Sequence, residues 1–479
     1  MYDSRIPSPS NAPEGRAVPA RVAMVGTFDV ENLGDLLFPL VAHHELAKRL
    51  GDVEIELFSY RAFDPPNWPF KVRPIHTLAE RLGEFDLLLV GGGHLIRGDE
   101  GVAPGYEPTS AVTSHPYGLW LTPTLLALAA GVPVAWNALG VIDSVSAVHE
   151  PLYKAALRGI DYLAVRDLES ARLVRAHSPH AAPVVVPDSV FGIGELLDDA
   201  SRHEATRLLA ANGVGGGYVV VQPSAILEDF RDAVEAIAVA ATARGLSVVE
   251  LACGPCHHDR PGRLRLSTPT TPIEPWPAPL VVAAMIAGAQ GVVASSLHAG
   301  IIATSTGTPL FRPRAAPGSK HEHLDLLPGV SALPEDGSDV EPTTDFDRGV
   351  PSSQVTGHRV ALQHHWDEVA RRCTGRGTRG PRDSVAELLE AIPDVLETRD
   401  RLAREQVDGL TETLERERQR STDEIADLEQ QLALERGLVE HLNAMLARKS
   451  VSAALAVADQ LGALRAASHR GSTGRKSDR

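Results

Sequence analysis

The chain has few cysteines, few aromatic residues and no excess of positive charge. Three cysteines in 479 residues are too few for a disulfide framework, which excludes a small disulfide-rich secreted scaffold and is typical of a reducing compartment. A formal net charge of -16 excludes a protein that binds duplex nucleic acid through a broad basic face. Positive charge that serves an anionic substrate must therefore be local.

Long apolar runs are also missing. No uninterrupted apolar stretch is long enough to cross a bilayer. Residues 1–19 are rich in Pro, Ser and Asn and lack the apolar segment of a signal peptide. We therefore expect a disordered leader over residues 1–19, and a soluble, cytoplasmic protein without a membrane span.

What is present is the composition of a globular protein, with 43% hydrophobic and 23% charged residues. Short apolar runs alternate with helical patterns over residues 20–198, and the alternation resumes after the glycine-rich stretch 212–217. Such alternation predicts parallel strands joined by right-handed crossovers. The sequence predicts an α/β fold with two tandem doubly wound, Rossmann-like domains, over residues 20–198 and 199–375. The cleft between them is the expected ligand site.

The C-terminal part has a different composition, rich in Leu, Glu, Arg and Gln. Apolar residues recur there at a 3-4 spacing, which is a heptad pattern interrupted by Glu435. These residues are Ile425, Leu428, Leu432, Val439, Leu442 and Leu446. We expect a helical, coiled-coil-like segment over 383–448, then a short helix and a disordered basic tail over 449–479. Self-association through this helix and packing back on the body are the two alternatives.

Two glycine-containing loops follow predicted strands of the first domain, at 26–35 and 91–93. Glycine lets a ligand approach the backbone closely, and a helix N-terminus suits an anion. A tight turn capped by Asn32 or Asp35, and a crowded crossing under the domain interface, explain the same loops without a ligand. The candidate substrate-binding residues in these loops are Asn32, Gly34, Asp35, Gly91, Gly92 and Gly93.

Arg166 stands where a predicted strand gives way to a helix. An arginine at the carboxyl end of a strand points toward the cleft, and its fork matches a carboxylate or a phosphate. A local ion pair with Asp167 or Glu169 is the alternative interpretation.

His298 follows another predicted strand and opens a helix. This position favours a general acid/base or a hydrogen-bond donor, although a lone histidine is more often structural. Ser296 precedes it, and Arg312 and Lys320 follow closely and predict a basic rim for substrate binding.

The segment Cys253-Gly-Pro-Cys256-His257 matches both a redox C-x-x-C and a haem-attachment pattern. Helix-breaking residues over 259–262 argue against the redox motif, and haem attachment requires export. A zinc site that includes His257 or His258 remains an alternative, but we predict neither a metal nor a cofactor.

Taken in order, these landmarks resemble the polysaccharide pyruvyl transferase family. The resemblance covers roughly Arg21 to His321. It rests on the loop Gly26 to Asp35, on Gly91-Gly-Gly93, on Arg166-Asp167…Ser170 followed by Val186-Pro-Asp188, and on Leu297-His298…Gly307-Thr-Pro309. The resemblance implies a two-domain architecture like that of glycosyltransferase-B. It also implies transfer of the pyruvyl group of phosphoenolpyruvate to a sugar hydroxyl pair, as a ketal, in surface polysaccharide biosynthesis.

The resemblance also implies residue roles. Arg166 would bind phosphate or carboxylate, and His298 would act as acid/base or bind the donor, so both are predicted to be catalytic. Family members often carry an arginine two residues before the motif histidine, whereas this chain has Ser296 there. Arg312, Arg314 or Lys320 would then have to replace that cation. The implied partners are phosphoenolpyruvate as donor substrate and a saccharide acceptor.

Two other functions fit the same residues. One is a sugar-nucleotide glycosyltransferase of the same architecture, and the other is a scaffold that lost catalysis at Ser296 and works through its tail. Binding of phosphoenolpyruvate would select the pyruvyl transferase, and binding of a nucleotide sugar the glycosyltransferase. Binding of neither ligand, together with self-association that depends on the tail, would select the scaffold.

Overall fold

The computed structural model describes residues 18–98, 116–142, 145–316, 321–336, 344–375, 381–446 and 449–471. Most of the predicted leader, residues 1–17, lies outside these ranges. Lys320 and residues 472–479 of the predicted basic tail do so as well.

The first sheet is parallel, with strand order β3-β2-β1-β4-β5. Its strands are β1 (Ala20–Val25), β2 (Val53–Ser59), β3 (Val72–Pro74), β4 (Leu87–Val90) and β5 (Val134–Trp136). All four apolar residues of β4 are fully buried, as expected for a parallel strand that is covered on both faces. A parallel pair, β6 (Ala164–Val165) and β7 (Val184–Val185), continues the sheet through isolated bridges.

Four helices cover this sheet, and side-chain caps begin two of them. They are α1 (Leu33–Leu50), α2 (Tyr117–Ala130), α3 (Glu150–Gly159) and α4 (Leu168–His177). Asn32 accepts a hydrogen bond from the Gly34 N–H at the start of α1, and Asp167 accepts one from the Ser170 N–H at the start of α4. These caps place the polar loops at the carboxyl edge of the sheet.

The second sheet is also parallel, with order β10-β9-β8-β11-β12-β13. Its strands are β8 (Tyr218–Val221), β9 (Ser247–Glu250), β10 (Thr271–Pro272), β11 (Gly291–Val293), β12 (Leu310–Pro313) and β13 (Val330–Leu333). Both sheets follow the Rossmann strand order. The predicted fold of two tandem doubly wound units is therefore confirmed.

The next helices in the chain belong mostly to the second domain. They are α5 (Asp199–Ala211), α6 (Arg231–Ala243), α7 (Pro279–Ala287), α8 (Leu297–Thr306), α9 (Glu322–Asp325) and α10 (Ser352–Thr374). Helix α10 packs against α1, β1 and β5 of the first domain. There the buried His365 lies 3.2 Å from the Tyr162 hydroxyl and 3.0 Å from the Asn137 side-chain oxygen. The predicted second-domain range 199–375 thus ends in a helix that packs on the first sheet.

The C-terminal segment is helical, as predicted. Helix α11 (Pro381–Leu446) has 66 residues, about 99 Å at 1.5 Å per residue, and α12 (Lys449–Gly471) follows. Residues from Arg399 onward form a unit separate from the body. Among the helices described, none combines the length and the apolar character needed to cross a membrane.

His365 should make the stability of the chain depend on pH. Burial, together with nearby Arg49, lowers the pKa of His365 to about 3. The folded chain keeps this imidazole neutral while the unfolded chain protonates it below about pH 6.5, so its stability contribution is complete above that pH and falls as the pH drops. When the pH falls from 7 to 5, the free energy of unfolding should therefore drop by about 2 kcal/mol more for the unchanged chain than for His365→Gln.

Urea unfolding at the two pH values measures this difference. His364→Gln, at the neighbouring exposed position of the same helix, is the matched control and should keep the original pH dependence. Equal pH dependence for both variants and the unchanged chain would contradict the prediction.

Candidate active site

A cavity of about 490 Å³ lies at the carboxyl ends of the strands, with walls from both domains. The first domain contributes loops that follow β1, β4 and β6, and the second contributes loops that follow β8, β9 and β11. The predicted residues on its wall are Asn32, Asp35, Gly92, Gly93, Arg166, Ser296 and His298. The fold thus brings together residues that are far apart in sequence.

Gly34 lies directly under the imidazole of His298. A Cβ built on Gly34 would overlap the His298 ring, whose Nδ1, Cε1 and Cγ are its three nearest atoms. The same ring packs edge-on against Phe38, with ring centroids 5.3 Å apart. Gly34 and Phe38 belong to α1 of the first domain, whereas His298 belongs to α8 of the second. Glycine is needed here because no larger residue allows this approach.

The glycine turn after β4 has a mixed role. A Cβ on Gly91 would lie 2.9 Å from the Val25 carbonyl oxygen, and one on Gly92 would overlap the Phe38 ring. Gly93 has a φ of 88°, a backbone conformation that favours glycine. Close packing therefore explains Gly91, while Gly92 and Gly93 also line the cavity.

Arg166 is buried at the end of β6, with 4% of its side chain exposed. Its Nε donates to Asp167 at 3.3 Å, so the local ion pair expected from the sequence exists. That pair uses only one edge of the guanidinium, and Nη2 is buried without a hydrogen-bond partner among the described residues. Burial lowers the pKa of Arg166, against the opposing effect of Asp188 and Asp167. Arg166 therefore lines the cavity with hydrogen-bonding capacity that the described residues do not use.

Asp188 was predicted only as a family landmark, and the structure places it beside both Arg166 and His298. It is 3% exposed; its Oδ1 accepts a hydrogen bond of 3.0 Å from the Val190 N–H, and its Oδ2 lies 3.6 Å from His298 Nε2. Burial alone would raise the pKa of Asp188, but His298 and Arg166 outweigh it and the pKa is lowered. Its position directly after β7, like that of Arg166 after β6, was the available signal in the sequence.

On the second-domain wall, Gln222 organises a polar network that the sequence did not reveal. Its Nε2 donates to Asp259 at 2.8 Å, and its Oε1 accepts from the backbone N–H groups of Ser295 and Ser296 at 3.0 and 2.9 Å. Ser296 in turn caps α8 by accepting from the Ala299 N–H. Burial raises the pKa of Asp259 despite its hydrogen bonds. The wall therefore holds a second titratable group besides His298.

The Cys253–His257 loop forms another part of the wall and connects the two domains. The Leu33 N–H donates to the Cys253 carbonyl at 2.9 Å, and His257 Nε2 lies 3.2 Å from Asn32 Nδ2. Burial raises the pKa of Cys253, and burial together with nearby acids raises that of Cys256 to about 12. Both are therefore protonated thiols when no cation is bound.

The described residues contain one trio of side chains close enough to share a metal ion: His44, Glu45 and Glu195. The Lys48 ammonium lies 2.6 Å from Glu195 there. A lysine that already pairs with this carboxylate argues against a cation at that place, and the cysteine loop does not form such a trio.

Arg312, predicted to bind substrate, does not line the cavity. Its Nη1 donates to Asp325 and to the His321 carbonyl, both at 3.0 Å. The side chain of His321 does line the cavity, so Arg312 supports the backbone of a wall residue. Lys320 lies outside the described residues.

Arginine and histidine side chains outnumber acidic side chains on the wall. The wall residues of this kind are Arg97, Arg166, His94, His257, His298 and His321. The acids that line it are Asp35 and Asp259. A compact anion suits such a wall, because guanidinium groups offer charge-assisted hydrogen bonds.

Gly34→Ala should destabilise the chain although alanine is the better helix former. The added methyl group overlaps the His298 ring, so we expect the unfolding free energy to fall by more than about 1 kcal/mol. In a His298→Ala background the same change should instead be neutral or stabilising by up to about 1 kcal/mol.

Denaturant unfolding of the single and double variants checks this coupling. Gly357→Ala, at an open helical position with no atom near the added Cβ, is the control and should be neutral or stabilising in both backgrounds. Equal destabilisation by Gly34→Ala in both backgrounds would show that the ring is not the obstacle.

Known proteins similar to this chain include solved enzymes of sugar metabolism. UDP-GlcNAc 2-epimerase from Neisseria meningitidis is 12% identical, with 78% of this chain and 100% of that chain covered at a TM-score of 0.42. The enzyme of the same name from Methanocaldococcus jannaschii is 10% identical, with 73% and 100% covered at 0.44. ADP-heptose heptosyltransferase II from E. coli is 10% identical, with 73% and 99% covered at 0.35.

No curated protein matches the chain. The fold assignment rests on the strand order of the two sheets, not on the likenesses to solved structures. The family model described as polysaccharide pyruvyl transferase matches residues 32–312. This range holds most of both sheets and the predicted site residues apart from Lys320, and more than half of the chain. The chain therefore belongs to the polysaccharide pyruvyl transferase family.

Proposed function

We propose that this chain transfers the pyruvyl group of phosphoenolpyruvate to a pair of hydroxyls on a saccharide. One observation carries the proposal. The buried guanidinium of Arg166 lines the cavity beside His298, and its Nη2 has no hydrogen-bond partner among the described residues. An unpaired fork of this kind is suited to a carboxylate or a phosphate, and phosphoenolpyruvate carries both.

The size and charge of the cavity support this donor. A volume of about 490 Å³ lies within the range of small-molecule sites, about 300–1,000 Å³. The donor is a compact polyanion, and Arg97 and Arg166 lie on the wall with several imidazoles. Ser296 cannot supply the cation that family members often have at its position. Arg97 is the wall residue that we assign to this task.

The proposed reaction moves two hydroxyl protons and one phosphate. The first hydroxyl oxygen bonds to the enol carbon of the donor, while the terminal CH₂ carbon takes up a proton and becomes a methyl group. The bond from the enol carbon to the phosphate oxygen then breaks, and the second hydroxyl oxygen bonds to the same carbon. The products are a pyruvate ketal and phosphate, which leaves with the second proton.

We assign the proton for the CH₂ carbon to His298. The residue lines the cavity, and its ring is held in place by Gly34 on one side and by Asp188, which faces Nε2. A positioned acid contributes typically 10²–10⁴-fold to a rate. Asp259, whose pKa burial raises, is the second group on the wall that can exchange a proton.

Calorimetric titration with phosphoenolpyruvate tests the donor, with UDP-sugars as comparison ligands. We expect the unchanged chain to bind phosphoenolpyruvate. Arg166→Lys keeps the charge but loses the fork, and should weaken binding about tenfold or more, since a bidentate pair contributes more than a point charge.

Arg172→Lys, on the exposed face of α4 and paired with Glu169, is the matched control and should bind like the unchanged chain. If UDP-sugars bind and phosphoenolpyruvate does not, the protein is a glycosyltransferase. Binding of neither would remove the enzymatic proposal.

We also propose that α11 associates with the same helix of a second copy. The apolar side chains of the heptad pattern up to Leu442 are exposed, with Ile425 at 56%, Leu428 at 62% and Leu442 at 46%. A long helix with an apolar stripe is stabilised mainly by packing that stripe. A seven-residue repeat keeps the stripe facing a partner helix as the two supercoil.

Solution mass by light scattering tests this association in the full chain. Leu428→Glu combined with Leu442→Glu places two charges in the stripe and should yield monomers. Gln430→Glu combined with Ala444→Glu adds the same two charges on the opposite face of the helix, and should leave the mass unchanged. A monomeric unchanged chain, or an oligomer that survives the stripe variant, would contradict the proposal.

A further inference from the structure

Asp188 lies in the segment that joins the two domains. It follows β7 and opens a 3-10 helix, Ser189–Glu195, which packs against both α1 and α8. This packing brings its carboxylate to His298 of the second domain, while Arg166 approaches from the first. The residue is therefore placed to act on groups from both sides of the cleft.

Three buried polar atoms in this region lack hydrogen-bond partners among the described residues. They are Arg166 Nη2, Asp188 Oδ2 and His298 Nε2. Buried polar atoms are nearly always paired in native proteins, and exceptions often mark functional sites. The 3.6 Å between Asp188 Oδ2 and His298 Nε2 is slightly too long for a hydrogen bond. It is short enough for a strong electrostatic attraction in a buried environment.

The two carboxylate oxygens of Asp188 have separate environments. Oδ1 accepts the Val190 N–H at 3.0 Å and caps the 3-10 helix, which satisfies its structural role. Oδ2 makes no such bond and faces His298. A cap needs one oxygen and no net charge, since an asparagine caps equally well. The burial of a full negative charge here is not explained by capping.

We propose that Asp188 is a positioning residue that fixes the orientation of the His298 ring for proton transfer. The residue does not line the cavity, so it acts through His298 and not on the substrate. This inference rests on the proposed function for its catalytic consequence. A carboxylate that faces one ring nitrogen orients the imidazole, and proton transfer requires a donor held in a fixed geometry.

Other charged groups around Asp188 also affect this pair. Arg166 and Asp167 approach from the end of β6, and His323 from α9 also interacts with Asp188. Burial lowers the pKa of His323, with Asp188 acting against that effect. Arg166 is the cation that balances the charge of Asp188 from the first domain.

Asp188→Asn tests the proposal, because an amide keeps the shape and the cap but removes the charge. With phosphoenolpyruvate and a saccharide acceptor, we expect kcat to fall about tenfold or more. Binding of phosphoenolpyruvate, measured by calorimetry, should be unchanged or tighter, because a negative charge near an anion site is gone.

Asp198→Asn is the matched control. Asp198 caps α5 by accepting the Ser201 N–H at 2.8 Å, and it is not among the cavity-lining residues. If Asp188 served only as a cap, both variants would keep nearly unchanged thermal stability and unchanged kinetics, because asparagine caps as well as aspartate. That outcome would overturn the proposal, as would equal loss of kcat and donor affinity in Asp188→Asn.

A double-variant cycle tests the Asp188–His298 pair without any reaction. Thermal midpoints are measured for Asp188→Asn, His298→Gln and the double variant at neutral pH. We expect non-additive shifts, with a smaller effect of Asp188→Asn once the imidazole is gone. Additive shifts would overturn the pair. If the shifts couple but the unchanged chain neither binds phosphoenolpyruvate nor forms a ketal, the proposed function fails while the pair stands.

Discussion

The site depends on the close approach of the His298 imidazole to the backbone of Gly34. One of these residues begins a helix of the second domain and the other begins a helix of the first. A Cβ on Gly34 would overlap the ring. The two domains can therefore approach this closely only with a glycine at this position of α1. Phe38 then packs against the ring edge, and Asp188 faces its Nε2. The orientation of the imidazole is therefore determined by the first domain.

Burial of charge at this interface has an energetic cost that the surrounding residues offset. Arg166 and Asp188 are both buried, and an isolated buried ion is strongly disfavoured. Their proximity to each other and to His298 compensates part of that cost, and the lowered pKa of Asp188 reflects this. The compensation is incomplete, because one polar atom of each side chain remains without a hydrogen bond among the described residues. The buried charges of the site are therefore held by electrostatic attraction more than by hydrogen bonds.

The fold could be predicted from the sequence because apolar strand patterns and helix caps are both local signals. Apolar strands such as β4 and capped helices such as α1 are encoded by consecutive residues, and their alternation implies parallel pairing. The same reasoning placed Arg166 and His298 at the carboxyl ends of strands, and both line the cavity. Helix α10 shows the limit of this reasoning. Its sequence does not reveal that it crosses back to the first sheet, where His365 is buried against Asn137.

The sequence by itself determined the alternation of elements, the glycine and capping residues at their junctions, and the long helix with its apolar stripe. Only the tertiary structure decided which of these residues meet. It placed Arg312 behind the wall with Asp325, brought Asp188 to His298, and joined Gln222 to Asp259 and the start of α8. These are contacts between residues distant in sequence, and they depend on how two sheets face each other. No local sequence pattern encodes the distances between these residues, because the packing of the whole interface between the two sheets determines them.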